Sequence, residues 1–251
     1  LELGATLGRG VDSTRNYVGQ VVELNRYPVK SMAADPVSQV DIDWQGIEGD
    51  RQYAFYRTGD GSRFPWLTAR EVPELVRHTP RYRDPADPRV SPVDIRCPDG
   101  RWTLVDDPDL LARLAEVAGC ALGLLQLGRG THDAMPISIS TTATHAAIDG
   151  EHGGPVDRRR FRSNIVVESD TPERDWAGRR LGFGGWADSA ELVATEGIPR
   201  CAFITLDPDS GARDPTIMRT VAQAFDNKVG IYATAARQGR VRLGDKVILL
   251  G

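Results

Sequence analysis

The chain is cut into many short runs of β type, and this limits its possible folds more than any other feature. VGQVVELNRYPV (18–29) is β-branched and apolar and runs into proline. VSQVDIDW (37–44) alternates apolar and polar with period two, as a half-buried strand does. RQYAFYR (51–57) alternates again after the turn QGIEGD, and the glycine-rich TGDGSRF reads as a hairpin turn. Further strands are expected at 90–96, 101–105, 122–127, 164–168, 191–196, 201–206, 230–236 and 241–250. Helical spacing is clear only in PDLLARLAEVA (108–118), where Leu110, Leu111, Leu114 and Val117 share a face and Pro108 suits the first turn. A short helix is expected to start near Thr141 or Thr142, and another spans 216–225. GRGTHDAMP (128–136) reads as a loop between two halves, and no internal repeat is visible. Short strands punctuated by glycine and proline favour barrels or sandwiches, so the expected class is mainly β with a few helices.

Composition removes several function classes. The formal net charge is −4, which argues against a general nucleic-acid binder. No stretch approaches the roughly 20 continuous apolar residues of a membrane span. The first 16 residues, LELGATLGRGVDSTRN, carry no apolar signal core and read as a flexible tail, so a cytoplasmic location is expected. Cys97, Cys120 and Cys201 are widely spaced, without CxxC, and the four histidines show neither HxH nor HExxH spacing. No GxSxG elbow, P-loop or GxGxxG after a strand is present. The usual hydrolase, kinase and dehydrogenase signatures are therefore missing.

What remains is a set of basic and polar residues at turns and strand ends. Lys30 and Ser31 follow YPV, Asp50 and Arg51 follow a glycine, and Thr68 and Arg70 lie in LTARE. Arg158, Arg159, Arg160 and Arg162 crowd before NIVV, and Arg200 precedes Cys201. Guanidinium grips phosphate with paired hydrogen bonds, so arginines so placed in an acidic chain suggest anion binding. Any single one is more often solvated surface charge, and Arg158 to Arg160 read most like a solvated run. Cys201 itself is open between packed thiol, disulfide half, nucleophile and metal ligand.

The segments YPVKSMAADPVSQVDIDWQGIEGDRQYAFYR and WLTARE resemble the N-terminal β-barrel domain that precedes MOSC domains. RRFRSNIVVE, ERDWAGRRLGFG, GIPRCAFITLDPDSG and VGIYATAARQGRVRLGDKVILLG resemble the MOSC domain itself, named after the C-terminal part of molybdenum-cofactor sulfurase. The resemblance covers roughly residues 17–251. It implies an N-terminal MOSC β-barrel domain over 17–133 and a MOSC β-barrel domain over 134–251, after the tail at 1–16. It further implies a molybdenum–molybdopterin cofactor with Cys201 as metal ligand, and two-electron reduction of N-hydroxylated or N-oxide small molecules. Lys30, Ser31, Arg51, Thr141, Thr142, Arg162, Asn164, Arg200 and Tyr232 match positions that contact the cofactor in the family. Asp207 is expected to shape the metal site or relay protons, against the plainer reading of a turn-forming Asp-Pro. No iron–sulfur cysteine set is visible, so electrons are expected from a separate reductase or ferredoxin-like partner. The chain departs from the family in having FRSN for FRPN, and in Arg174 replacing one of two carboxylates before Trp176. Two rival functions share the fold: a carrier of the cofactor or of sulfur, with Cys201 as persulfide, and a cofactor-free enzyme reusing the anion-binding pocket.

Overall fold

The computed structural model describes residues 17–250; the tail expected over 1–16 lies outside them. In chain order the elements are β1 (Tyr17–Arg26), β2 (Asp35–Pro36), β3 (Gln39–Asp43), β4 (Gly46–Ile47), β5 (Tyr53–Arg57), β6 (Thr79–Tyr82), β7 (Val93–Arg96), β8 (Trp102–Leu104), α1 (Pro108–Ala118) and β9 (Leu122–Gln126). They continue with β10 (Ile137–Thr141), α2 (Thr142–His152), β11 (Ile165–Glu168), β12 (Arg180–Phe183), β13 (Glu191–Pro199), α3 (Pro215–Ala224), β14 (Lys228–Arg237), β15 (Gly239–Arg242) and β16 (Lys246–Leu250).

Seven strands close a barrel in the order β11-β10-β14-β13-β12-β16-β1, with β1 returning to β11. A closed sheet leaves no free edge, which suits short strands of this kind. β1, from the N-terminal part of the chain, is therefore hydrogen-bonded into the ring made by the C-terminal part. The pairs around the ring are antiparallel except β10 with β11, and that parallel pair is joined by the crossover through α2 and the one-turn helix Arg158–Phe161. β1 carries a bulge between Val21 and Glu23 against β11. The extra residue resets the alternation, so Val21 and Leu24 both reach the core while Glu23 does not. Val21, Leu24, Ile137, Ile139, Ile165, Leu192, Ile231 and Val247 fill the interior.

A second core sits under the two-stranded pair β5–β9 and the sheet β6-β7-β8. There Val29, Phe55, Leu75, Ile95, Leu110 and Leu114 pack together, the last two from the apolar face of α1. Asp107 caps α1 and Gly119 ends it at φ 68°. A third cluster, with Ile148, Phe161, Ile204, Ile217 and Val221, joins α2 and α3 to the segment after β13.

β6, β10 and β12 were not expected from the sequence, and among the expected features three differ. CAFITL is not a strand: β13 ends at Pro199, and Ala202–Thr205 form a single 3-10 turn. The Thr205 hydroxyl donates to the Ala202 carbonyl at 2.7 Å and Leu206 N–H donates to the Phe203 carbonyl at 3.0 Å, so these groups are satisfied locally rather than across a ladder. VRLGDKVILL is two strands, β15 and β16, broken at Gly244. Arg160, expected in a solvated run, has a side chain only 9% exposed and donates to Thr205 O at 2.9 Å and Asp207 at 3.0 Å. All three cysteines are free: Cys97 buried, Cys120 half-buried against the second core, Cys201 exposed.

Candidate functional site

A cavity of about 150 Å³ lies between the barrel and the N-terminal part of the chain. Lys30, Ser31, Arg51, Arg162, Asn164, Arg200, Cys201 and Tyr232 line it, so eight of the eleven residues expected in the site meet there. Their sequence separation is large. The tertiary fold gathers them from the turn after 27–29, the turn after β4, the loop before β11, the end of β13, and β14.

The backbone is strained where the site is made. Among the described residues, five that are not glycine have φ in the left-handed region: Ser31 (68°), Arg51 (52°), Arg162 (54°), Asp226 (49°) and Asn227 (57°). The first three line the cavity. Asn227 supports a fourth lining residue, donating its side-chain amide to the Arg200 carbonyl at 3.0 Å. Such conformations cost about 1–3 kcal/mol each and persist only where surrounding contacts enforce them. A glycine would relieve the strain but remove the side chain, so these three positions retain a polar group at energetic expense.

Six cationic residues line the cavity, Lys30, Arg51, Arg70, Arg160, Arg162 and Arg200, against one carboxylate, Asp133. Lys30 pairs with Asp133, Arg51 with the buried Asp50, and Arg160 with Asp207. Arg70, Arg162 and Arg200 have no carboxylate partner among the described residues. Arg162 is sandwiched between the rings of Tyr27 and Phe203, 4.1 and 5.0 Å from their centres. Its Nη1 donates to Met32 O at 2.6 Å, while Nη2 is buried without a hydrogen-bond partner. Burial pushes both Arg162 and Arg200 down to about 10, so both stay charged near neutrality. Burial likewise lowers Lys30, partly offset by Asp133.

Not every expected contact presents a free group. Asn164 uses its whole amide inside the protein. Oδ1 accepts from Ser138 N at 3.1 Å and Ser138 Oγ at 2.8 Å, while Nδ2 donates to Asn25 O and Asp50 Oδ1, both at 3.1 Å. It is a positioning residue that ties β10, β1 and the Asp50 turn together. Arg200 directs its guanidinium at Phe161 O (Nη1, 2.8 Å) and Val229 O (Nε, 2.7 Å), bracing the loop that carries Arg162. Gly230 makes this possible: at φ 79° an added Cβ would stand 2.9 Å from Arg200 Nη2 and 3.0 Å from Ile139 O.

Thr141, Thr142 and Asp207 are not brought to the cavity. Thr141 is the N-cap of α2, but its hydroxyl and backbone N–H both donate to Glu173, at 2.7 and 3.0 Å. The buried Glu173 carboxylate also accepts from Thr144 Oγ1 at 2.6 Å and Gly230 N–H at 2.8 Å. The positive end of the helix is thus already met by a carboxylate, and an anionic ligand there would face like charge. Thr142 exchanges hydrogen bonds with the Ser169 backbone. Asp207 closes the turn before Gly211, accepting from Ser210 N–H and Oγ at 2.9 and 2.8 Å, which holds its carboxyl below the usual range.

Glu173 and His132 were not legible as site residues, and Asp50 stood out only as the neighbour of Arg51. His132 lines the cavity and an outer groove beside Trp44. Burial first, and Arg51 next, push it down to about 4, and its Nδ1 stands 4.0 Å from Asp50 Oδ2. Each of the three follows or precedes residues that look like turn or surface polarity, and only tertiary burial distinguishes them.

Cys201 caps the 3-10 turn directly after β13, whose register shifts three times against β14, the last between Gly197 and Pro199. The thiol is exposed at the cavity it lines. Among the described residues no group of three or more His, Cys, Asp or Glu could hold a metal ion. No helix among them is long and apolar enough to cross a membrane.

A model of the MOSC domain matches residues 128–248, and a model of the MOSC N-terminal beta barrel domain matches residues 18–115. No curated protein matches the chain. Among solved structures, the YUAD protein from Bacillus subtilis is similar at 14% identity and a TM-score of 0.49, over 92% of this chain and 94% of that one. YiiM from Geobacillus stearothermophilus is similar at 15% identity and a TM-score of 0.37, over 47% of this chain and 55% of that one. MOSC domains are associated with molybdenum-cofactor sulfurases and reductases. With the two models covering nearly all of the described residues, this chain belongs to the MOSC family, as an N-terminal MOSC β-barrel domain followed by a MOSC domain.

Proposed function

We propose that the cavity beside Cys201 binds a molybdenum–molybdopterin cofactor and that the protein is an oxidoreductase acting on N-hydroxylated or N-oxide small molecules. The observation that carries this reading is an exposed thiol on a cavity with six cationic residues and one carboxylate. Arg162 Nη2, buried without a partner, is the unmet donor an anionic group would satisfy. The donor set fits the cofactor's chemistry. Among the described residues the cavity offers a single soft ligand and no cluster of protein ligands, so a metal held there needs most of its donors from an organic partner. Arg51, Arg162 and Lys30 would hold the anionic end, and Cys201, as thiolate, would ligate the metal. The bound cofactor would supply two-electron oxygen-transfer chemistry.

The chain's own contribution is binding and orientation. Arg200 and Gly230 brace the Arg162 loop, Asn164 and Asp50 set the Arg51 turn, and the 3-10 turn aims Cys201 outward. His132 lines both the cavity and the outer groove and, pushed down to about 4, stays neutral near pH 7, so it adds no charge beside the cationic residues. Reducing equivalents would come from a separate donor protein. The exposure of Cys201 also suits a sulfur carrier, in which the thiol holds a persulfide.

Plasma mass spectrometry of protein made in a host with intact cofactor synthesis tests the reading, with Cys201→Ala alongside. Near-stoichiometric molybdenum in the wild type, lost or reduced in the variant, is expected. Molybdenum absent from both, with the fold intact, overturns it. Persulfide on Cys201 without turnover of hydroxylamines selects the carrier.

A further inference from the structure

A second cavity, about 690 Å³, adjoins the first and shares Arg160, Arg162 and Phe203 with it. Its volume is in the usual range for a small organic ligand. Buried Leu24, Val76, Val166 and Leu206 give it apolar walls. Its charge is lopsided for a chain of net charge −4: Arg77, Arg81, Arg96, Arg158, Arg159, Arg160 and Arg162 line it, against Glu23 and Asp209.

Three of those arginines are neutralised. Arg158 pairs with Glu23, Arg159 with Asp157 and Asp209, and Arg160 with Asp207. The other four have no carboxylate within ion-pair distance among the described residues. Arg77 donates to the Asp209 carbonyl at 3.1 Å, and Arg81 lies 5.9 Å from the Trp102 ring centre. Arg96 has neither an ion pair nor a side-chain hydrogen bond among the described residues. Arg81 and Arg96 are diagonal neighbours on one face of β6–β7, because Arg81 pairs with Asp94, two residues before Arg96. The one carboxylate between them, Asp94, is taken by Arg83 through two hydrogen bonds of 2.8 Å. Ser163 Oγ, which also lines this cavity, is buried without a partner. Like charges gathered along one surface oppose folding, and here four of them have no carboxylate partner around a half-open, partly apolar volume.

We propose that this groove binds a phosphorylated organic molecule of nucleotide size, its phosphate on Arg81 and Arg96 and its ring on the apolar wall. Guanidinium pairs match phosphate through parallel N–H donors, which a carboxylate-poor surface leaves available. Arg81 and Arg96 do not line the Cys201 cavity, so failure of this proposal leaves the proposed function standing.

Isothermal titration of the full chain with the four ribonucleoside 5′-monophosphates tests it, with adenosine and inorganic phosphate as the two halves of the ligand. At least one nucleotide is expected to bind, with each half at least about tenfold weaker. Arg81→Ala/Arg96→Ala is expected to weaken binding by about tenfold or more, while Cys201→Ser leaves it unchanged. Both arginines are exposed, so the double variant keeps its fold, checked by an unchanged melting temperature. Three results overturn the proposal: no nucleotide binds, inorganic phosphate binds as well as the nucleotide, or the double variant binds like wild type.

Discussion

Replacing Glu173 by glutamine tests how the site is held. The carboxylate is 2% exposed and accepts four donors: Thr141 N–H, Thr141 Oγ1 and Thr144 Oγ1 on one oxygen, and Gly230 N–H on the other. Glutamine keeps one acceptor oxygen. Turned to the threonines, it retains three bonds, now to a neutral group, and opposes its own NH₂ to Gly230 N–H. A buried donor left unmet costs about 1–3 kcal/mol, and each bond that loses its charge weakens by roughly 1 kcal/mol. Removing a buried charge returns part of this through its lower desolvation cost. The net loss for Glu173→Gln is about 3 kcal/mol, a large share of the roughly 5–15 kcal/mol typical of a folded protein. For a chain of this size it corresponds to roughly 6–12 °C in melting temperature. Urea unfolding followed by tryptophan fluorescence measures it, with the buried Trp176 in the same short helix as a local reporter. Asp175→Asn, on the exposed side of that helix, should stay within about 0.5 kcal/mol. A loss below about 0.5 kcal/mol in Glu173→Gln refutes the reasoning, since the four donors would then not depend on a carboxylate.

Other outcomes follow from the same contacts. Gly230→Ala should destabilise the fold by about 1–3 kcal/mol, through its left-handed φ and the clash with Arg200, and lower molybdenum content as well; unchanged content with intact folding would separate Gly230 from the site. His145 and His132 are both pushed down to about 4, chiefly by burial, whereas the unfolded chain protonates them near pH 6.5. Between those values the unfolded chain binds more protons, so this stability is complete above about pH 6.5 and is lost as pH falls toward 4. His145→Gln should therefore shrink the loss between pH 7.5 and pH 5 by about 2 kcal/mol, measured by urea unfolding at both values; an unchanged loss would show that His145 does not titrate with unfolding.

Most strands and the helix Pro108–Ala118 with its proline start were legible locally, because period-two alternation and helix-start preferences are properties of neighbouring residues, whereas β6, β10 and β12 were not. The family was legible too, through YPVKS, GDR, LTAR, FRSN and RC in order. The partition of roles among those motif residues was not. Asn164 and Arg162 stand two residues apart in FRSN, yet one spends its whole side chain on the protein while the other keeps a buried donor free. Thr141 carries the right side chain for an anion at a helix start, but a carboxylate from 32 residues later already occupies that end. CAFITL has strand composition, and its carbonyls are met by a local turn instead. Sequence alone determined the barrel class, the family and most of the polar residues of the site. The tertiary structure decided which of them face the cavity, because burial and the settlement of charge depend on residues brought together from across the chain.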